Sequence, residues 1–129
     1  MYYITDTHSL IWHLTEDKKL SKKALAIFTE ADKGEAIIIV PTIVLAEIIH
    51  ICEKKKSELK IKNVIDKIKD SLNYVSYNLN MEVLEKVIGI KDISEMHDRI
   101  ITAIALITGS MLITKDEEIV KSGIVKTIW

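Results

Sequence analysis

The feature that most constrains this chain is an alternation along its whole length, in which short β-prone runs are separated by segments whose apolar residues recur at helical spacing. Tyr2 to Thr5 is such a run and reaches Asp6, after which Leu10, Ile11 and Leu14 mark a helix; Asp6 therefore falls at a strand-to-helix junction. Ala24, Leu25, Ile27 and Phe28 mark a second helix ending near Gly34. Ala36 to Val40 reads as a strand apolar on both faces, closed by Pro41, the only proline. Val44, Ile48 and Ile51 predict a helix from Ile43 to about Cys52 that carries Glu47, followed by Lys54 to Lys56 as a solvated turn. Further helices are predicted over Lys60 to Leu72, Met81 to Ile88 and Glu95 to Thr108, with strands over Tyr74 to Tyr77 and Met111 to Thr114. Glu117 to Lys121 and Val125 to Ile128 complete the series. Strands joined through helices predict right-handed βαβ units, hence an α/β fold with a mainly parallel sheet covered by helices on both faces.

Composition sets limits on function. A chain of 129 residues suits one domain spanning residues 1–129, with no repeat or linker, and its core is aliphatic because aromatic content is only 5%. Eighteen Lys plus Arg against nineteen Asp plus Glu leave a formal charge of -1, so any nucleic-acid binding must be local rather than driven by a global positive field. Arg99 is the only arginine, which leaves phosphate contacts to lysines and counts against base-specific readout. The single Cys52 can form no internal disulfide and supplies too few thiolates for a zinc or iron–sulfur site, which fits the cytoplasm. The longest uncharged stretch, Ile100 to Thr114, is too short to span a bilayer, so neither a membrane helix nor a signal peptide is expected.

Four acids stand out by position. In open α/β sheets ligands bind beyond the carboxyl ends of the strands, where Asp6 follows the first strand and Asp116 the fourth. Glu47 lies in the helix after the second strand, and Asp98 in the first turn of the helix before the fourth, so both can point toward the same edge. Four carboxylates at one place repel one another unless protonated or neutralised, and a hard divalent cation is the usual neutraliser. Mg²⁺ or Mn²⁺ so held can activate water against a phosphodiester, a chemistry that needs acids and no nucleophilic Ser or Cys. Each acid also has a plainer use. Asp6 suits a helix cap, Asp98 a dipole-favoured first turn, Asp116 a turn residue and Glu47 a solvated helix face.

These residues belong to longer stretches that resemble the successive signatures of PIN domains: Asp6-Thr7-His8-Ser9-Leu10-Ile11-Trp12, Pro41-Thr42 leading to Ala46-Glu47, His97-Asp98-Arg99-Ile100-Ile101 running to Ala105, and Leu112-Ile113-Thr114-Lys115-Asp116. The chain is similar in particular to the VapC-type toxins of toxin–antitoxin pairs, over essentially all of its length. The resemblance implies a five-stranded sheet of order 3-2-1-4-5, endoribonuclease activity, and Mg²⁺ or Mn²⁺ as cofactor. Asp6, Glu47 and Asp98 match the family's three principal acids, Asp116 its more variable fourth, and Thr114 a hydroxyl position near the metal. It also implies an RNA substrate, a small antitoxin partner and a homodimer. The chain departs from the pattern where the family often has Pro before the Asp-Arg pair, here His97, and Thr in the following helix, here Ile104.

Other signals weigh less. Glu47 and His50 form an E-x-x-H pair, but a di-iron bundle needs a second copy and long helices. His8 and His13 flank Trp12, and none of these residues has a nucleophile in a recognisable frame. Lys18, Lys19, Lys22 and Lys23, with Lys54 to Lys56, can line an RNA path or simply be solvated. Trp12 suits an interface or core better than a stacked base. A second reading, from another class, is a catalytically weak PIN module that binds RNA or a protein partner.

Overall fold

The computed structural model describes residues 1–55 and 59–129. Its elements run β1 (Tyr2–Thr5), α1 (Thr7–Leu14), α2 (Lys22–Asp32), β2 (Ile37–Pro41), α3 (Thr42–Lys54), α4 (Ile61–Asp70), β3 (Tyr74–Tyr77), α5 (Met81–Ile88), α6 (Met96–Thr108), β4 (Met111–Ile113), α7 (Glu117–Ser122) and β5 (Thr127–Ile128). The strands form one five-stranded sheet of order β3-β2-β1-β4-β5, the expected order. Every pairing is parallel, so the sheet is wholly rather than mainly parallel.

Central strand β1 registers Ile4 against Ile39 of β2 on one side and against Leu112 of β4 on the other. Tyr3, Ile4 and Thr5 are all buried although alternate residues of a strand face opposite ways, so both faces of β1 are covered. Crossovers of one hand explain the two layers: β1 to β2 to β3 steps one way across the sheet, and β4 to β5 steps the other. The helix of the long return, α6, is buried from Ile100 to Ala105, as its nearly all-apolar sequence requires. It stops at Gly109, whose φ of +65° suits the left-handed position that glycine adopts without strain.

Asp32, at the end of α2, ties four segments together. It accepts the Tyr74 hydroxyl at 2.7 Å and lies 3.2 Å from His13 Nε2 and 3.4 Å from Lys67 Nζ. His13 also stacks on Phe28 at 4.5 Å, which places this histidine inside the fold.

Some boundaries differ from expectation. Helix α3 runs two residues beyond Cys52, and Lys54 belongs to it, with Lys55 as its C-cap; Lys56 lies outside the described residues. The final strand is two residues long, not four. No described helix is long and apolar enough to cross a membrane.

Because Ile4 is fully buried at the centre of the sheet, Ile4→Ala should lower unfolding free energy by about 2–5 kcal/mol in urea denaturation. Leu72, 89% exposed, should tolerate alanine within about 0.5 kcal/mol.

Candidate active site

Strand order places β1 between β2 and β4, so the chain's direction of travel across the sheet reverses at the β1–β4 pair, where α/β sheets open a crevice at their carboxyl ends. Asp6 leaves β1 there, and its N–H continues the ladder to the Ile113 carbonyl. Its Oδ1 caps α1 by accepting the Ser9 N–H at 2.9 Å, while Oδ2 accepts the Thr114 hydroxyl at 2.5 Å. Thr114 is fully buried and also accepts the Asp116 N–H at 3.1 Å. Asp116 in turn caps α7, its Oδ1 accepting the Ile119 N–H at 3.0 Å. The capping use foreseen for Asp6 is thus real, and Asp116, foreseen only as a turn residue, caps a helix as well; each cap occupies one carboxylate oxygen.

Glu47 reaches the same crevice from α3, where the buried Thr7 hydroxyl donates to its Oε1. Asp98 arrives from the first turn of α6. The cap of that helix is Glu95, whose Oε2 accepts the Asp98 N–H at 2.9 Å and whose Oε1 lies 2.7 Å from His97 Nδ1. Asp6, Glu47, Asp98 and Asp116 line one cavity of about 640 Å³ together with Glu95.

The electrostatics of this cavity fall most heavily on Asp98. Its partial burial, then the neighbouring charges of Asp116, Glu95, Asp6 and Glu47, push its carboxyl up to about 7. Among the described residues no hydrogen-bond donor reaches the Asp98 carboxylate, whereas Glu47 and Asp116 each have one and Asp6 has two. Burial also works to raise Glu95, but hydrogen bonds from His97 and the backbone overcome it and hold this acid below the usual range. His97 is raised, chiefly by its hydrogen bond to Glu95 and against the effect of burial.

With the side chains in these positions, no three His, Cys, Asp or Glu groups among the described residues stand close enough together to hold one ion. The acids are carried by different segments, Asp6 and Asp116 as the caps of α1 and α7, Glu47 within α3 and Asp98 within α6. The donor set nevertheless fits a hard divalent cation, since it offers carboxylate oxygens alone in a cavity where excess negative charge already favours protonation.

Other residues sort themselves by this geometry. His8, Trp12, Lys19 and Lys115 line the cavity. Of the lysines singled out from sequence only Lys19 does so; Lys18, Lys22, Lys23, Lys54 and Lys55 are exposed elsewhere. Lys115 was quoted without a role, although its place between Thr114 and Asp116 was signal enough. Thr7 and Ser9 were quoted without a role; their one- and three-residue offsets from a capping acid mark them as first-turn partners. Glu95, three residues before Asp98, carried the same capping signal. His50 is exposed and outside the cavity. At the two departures from the family pattern, His97 pairs with Glu95 and Ile104 is wholly buried in the core.

A wholly parallel 3-2-1-4-5 sheet with an acid-lined crevice at its switch point defines an open α/β class. The sequence matches the PIN domain over residues 3–123, so the chain belongs to the PIN-domain family. PIN domains generally use divalent metal ions. Solved structures share the fold at low identity. VapBC2 from Rickettsia felis, bound to a DNA fragment from its promoter, is similar at TM-score 0.70 and 15% identity, covering 99% of this chain and 98% of that one. A toxin–antitoxin complex from Klebsiella pneumoniae gives 0.70 and 16%, covering 98% and 96%. VapBC-1 from nontypeable Haemophilus influenzae gives 0.66 and 18%, covering 99% and 97%. No curated protein matches the sequence.

The raised carboxyl of Asp98 carries a consequence for stability. An unfolded aspartate titrates near about 3.9, so the native state holds this proton more tightly, and stability is lost as pH rises from there through about 7. Asp98→Asn removes that loss. In chelator its melting temperature should match the parent near pH 4 and exceed it increasingly up to neutral pH, as thermal melts across pH would show. A variant less stable than the parent at pH 8 would mean that Asp98 instead makes a favourable contact.

Proposed function

We propose that the chain is a metal-dependent endoribonuclease, the toxin of a VapBC-type toxin–antitoxin pair, formed as one PIN domain over residues 1–129. The observation that carries this reading is the convergence of Asp6, Glu47, Asp98 and Asp116, from four different elements, on one cavity at the carboxyl edge of the sheet. These four residues would hold Mg²⁺ or Mn²⁺. A bound ion of this kind neutralises the carboxylates, lowers the pKa of water for attack on a phosphodiester and stabilises the departing oxygen.

The chain's own groups prepare the site for that task. Thr114 fixes Asp6 and, through the Asp116 N–H, the start of α7, so that the acids on either side of the switch point keep a set separation. Thr7 fixes Glu47 relative to α1. Among the described residues Asp98 is left without a donor, and its carboxylate is the one most free to turn toward a cation. The substrate is RNA, and the protein is read as a cytoplasmic homodimer with a small antitoxin. Support for the partner is that the similar Rickettsia, Klebsiella and Haemophilus structures are toxin–antitoxin or VapBC assemblies.

The test is RNA cleavage by purified protein. Chelation should abolish it and Mn²⁺ restore it, while Asp98→Asn and Glu47→Gln should each slow it by roughly a hundredfold or more, the scale seen when one group stabilising developing charge is removed. Cleavage that survives chelation, or both variants at parental rate, would refute the assignment. Induced expression should also arrest growth, and a co-expressed cognate antitoxin should relieve the arrest; normal growth with soluble, active protein would rule out the toxin role.

A further inference from the structure

The cavity that holds the acids has a second wall of different chemistry. Trp12 lies one helical turn beyond His8 on α1, while Leu10 on the opposite side of that helix is buried in the core. The indole is half-buried and faces the acid cavity. Two cations from distant parts of the chain converge on it: Lys115 Nζ at 4.9 Å from the ring centroid and Lys19 Nζ at 5.8 Å. Its position is braced by Trp129, edge-on at 5.9 Å, and by His8, tilted at 5.7 Å.

Charge makes this wall consequential. Five carboxylates line the cavity, and a polyanion entering it meets their field; among the described lining residues the lysine ammonium groups are Lys19 and Lys115. The sole arginine does not help, because Arg99 Nη2 donates to the Val87 carbonyl at 2.9 Å and its Nε is buried without a partner. Lys115 sits between Thr114 and Asp116, so its ammonium is carried by the segment whose hydrogen bonds reach Asp6. Cation–π contacts at an open surface are weak. A nucleobase can therefore displace an ammonium from the indole face, stack there, and leave that ammonium to a flanking phosphate.

We infer that Trp12, Lys19 and Lys115 form the strand-binding wall of the active site, with one base of a single-stranded RNA stacked on Trp12 and the adjoining phosphates held by the two lysines. The inference rests on the ribonuclease reading and deepens it. Only an unpaired base can reach the indole, which selects single-stranded segments over duplex. Stacking accepts any base and no arginine fork is available in the cavity, so this subsite tolerates sequence. Cations on the indole suit a polyphosphate better than an apolar protein anchor, which would ask for an apolar surround.

The test uses Trp129→Phe protein, in which Trp12 is the only tryptophan, and a ten-nucleotide single-stranded RNA in chelator, read by polarisation and by tryptophan emission. RNA should bind and quench Trp12, whereas an abasic oligomer of the same length should bind more weakly without quenching. Trp12→Ala should lower affinity by roughly tenfold to a hundredfold, Trp12→Phe should retain most of it, and Lys115→Gln should reduce the slope of log affinity against log salt by about one. Binding equal in parent and Trp12→Ala, with Trp12 emission unchanged, would overturn the inference while leaving the ribonuclease reading intact. RNA that fails to bind the parent with or without Mn²⁺ would remove the reading on which it rests. Quenching of Trp12 by the antitoxin protein alone, and not by RNA, would assign the indole to a protein interface and likewise overturn it.

Discussion

The hydrogen bond from the Thr114 hydroxyl to Asp6 spans the point at which the sheet's strand order reverses, and the arrangement of the site depends on it. A parallel sheet delivers every strand's carboxyl end to one edge, but it leaves the loops there free to diverge. At β1 and β4 they do not diverge. The ladder runs on through the Asp6 N–H to Ile113, and Thr114, with no exposed surface, can satisfy its hydroxyl only within the protein. It does so by donating to Asp6 and accepting from Asp116, so two loops and two helix caps become one assembly.

Charge repulsion then shapes everything the assembly faces. Asp6, Glu47 and Asp116 are each held by a hydrogen bond, whereas Asp98, half-buried and without a donor among the described residues, is pushed up to about 7 by burial and by the charges gathered around it. A cavity that favours protonation of one acid in the absence of a counterion is one that gains when a cation arrives. The same excess of negative charge explains why the positive groups of the wall matter: Lys19 and Lys115 offset it on the side from which a polyanion would approach.

Much of the fold was legible because periodicity reports burial. Ala36 to Val40 reads as a strand buried on both faces and lies one residue from the observed Ile37–Pro41, and Tyr74 to Tyr77 and Met81 to Ile88 fall where their patterns end. The sheet order came from the resemblance rather than from any pattern, since nothing local says that β4 returns beside β1. The extension of α3 to Lys54 was hidden by a lysine run that reads equally as turn or as exposed last turn, where cations favour a helix C-terminus. At the site, the four acids were visible as carboxylates beside strand ends or in the helices that flank them. Of the groups that orient them, Thr114 was reached through the resemblance, and the others were not seen. Thr7 meets Glu47 across forty residues, and Lys115 meets Trp12 across more than a hundred, pairings fixed by topology alone.

The central claim is that four acids on four elements constitute one cation site. Calorimetric titration of Mn²⁺ into chelator-stripped protein tests it most directly when repeated on Asp6→Asn, Glu47→Gln, Asp98→Asn and Asp116→Asn. The account predicts saturable binding to the parent and weaker binding to every variant, with the fold intact by circular dichroism. Parental affinity in the Glu47 and Asp98 variants, the two acids brought from helices rather than strand ends, would contradict it.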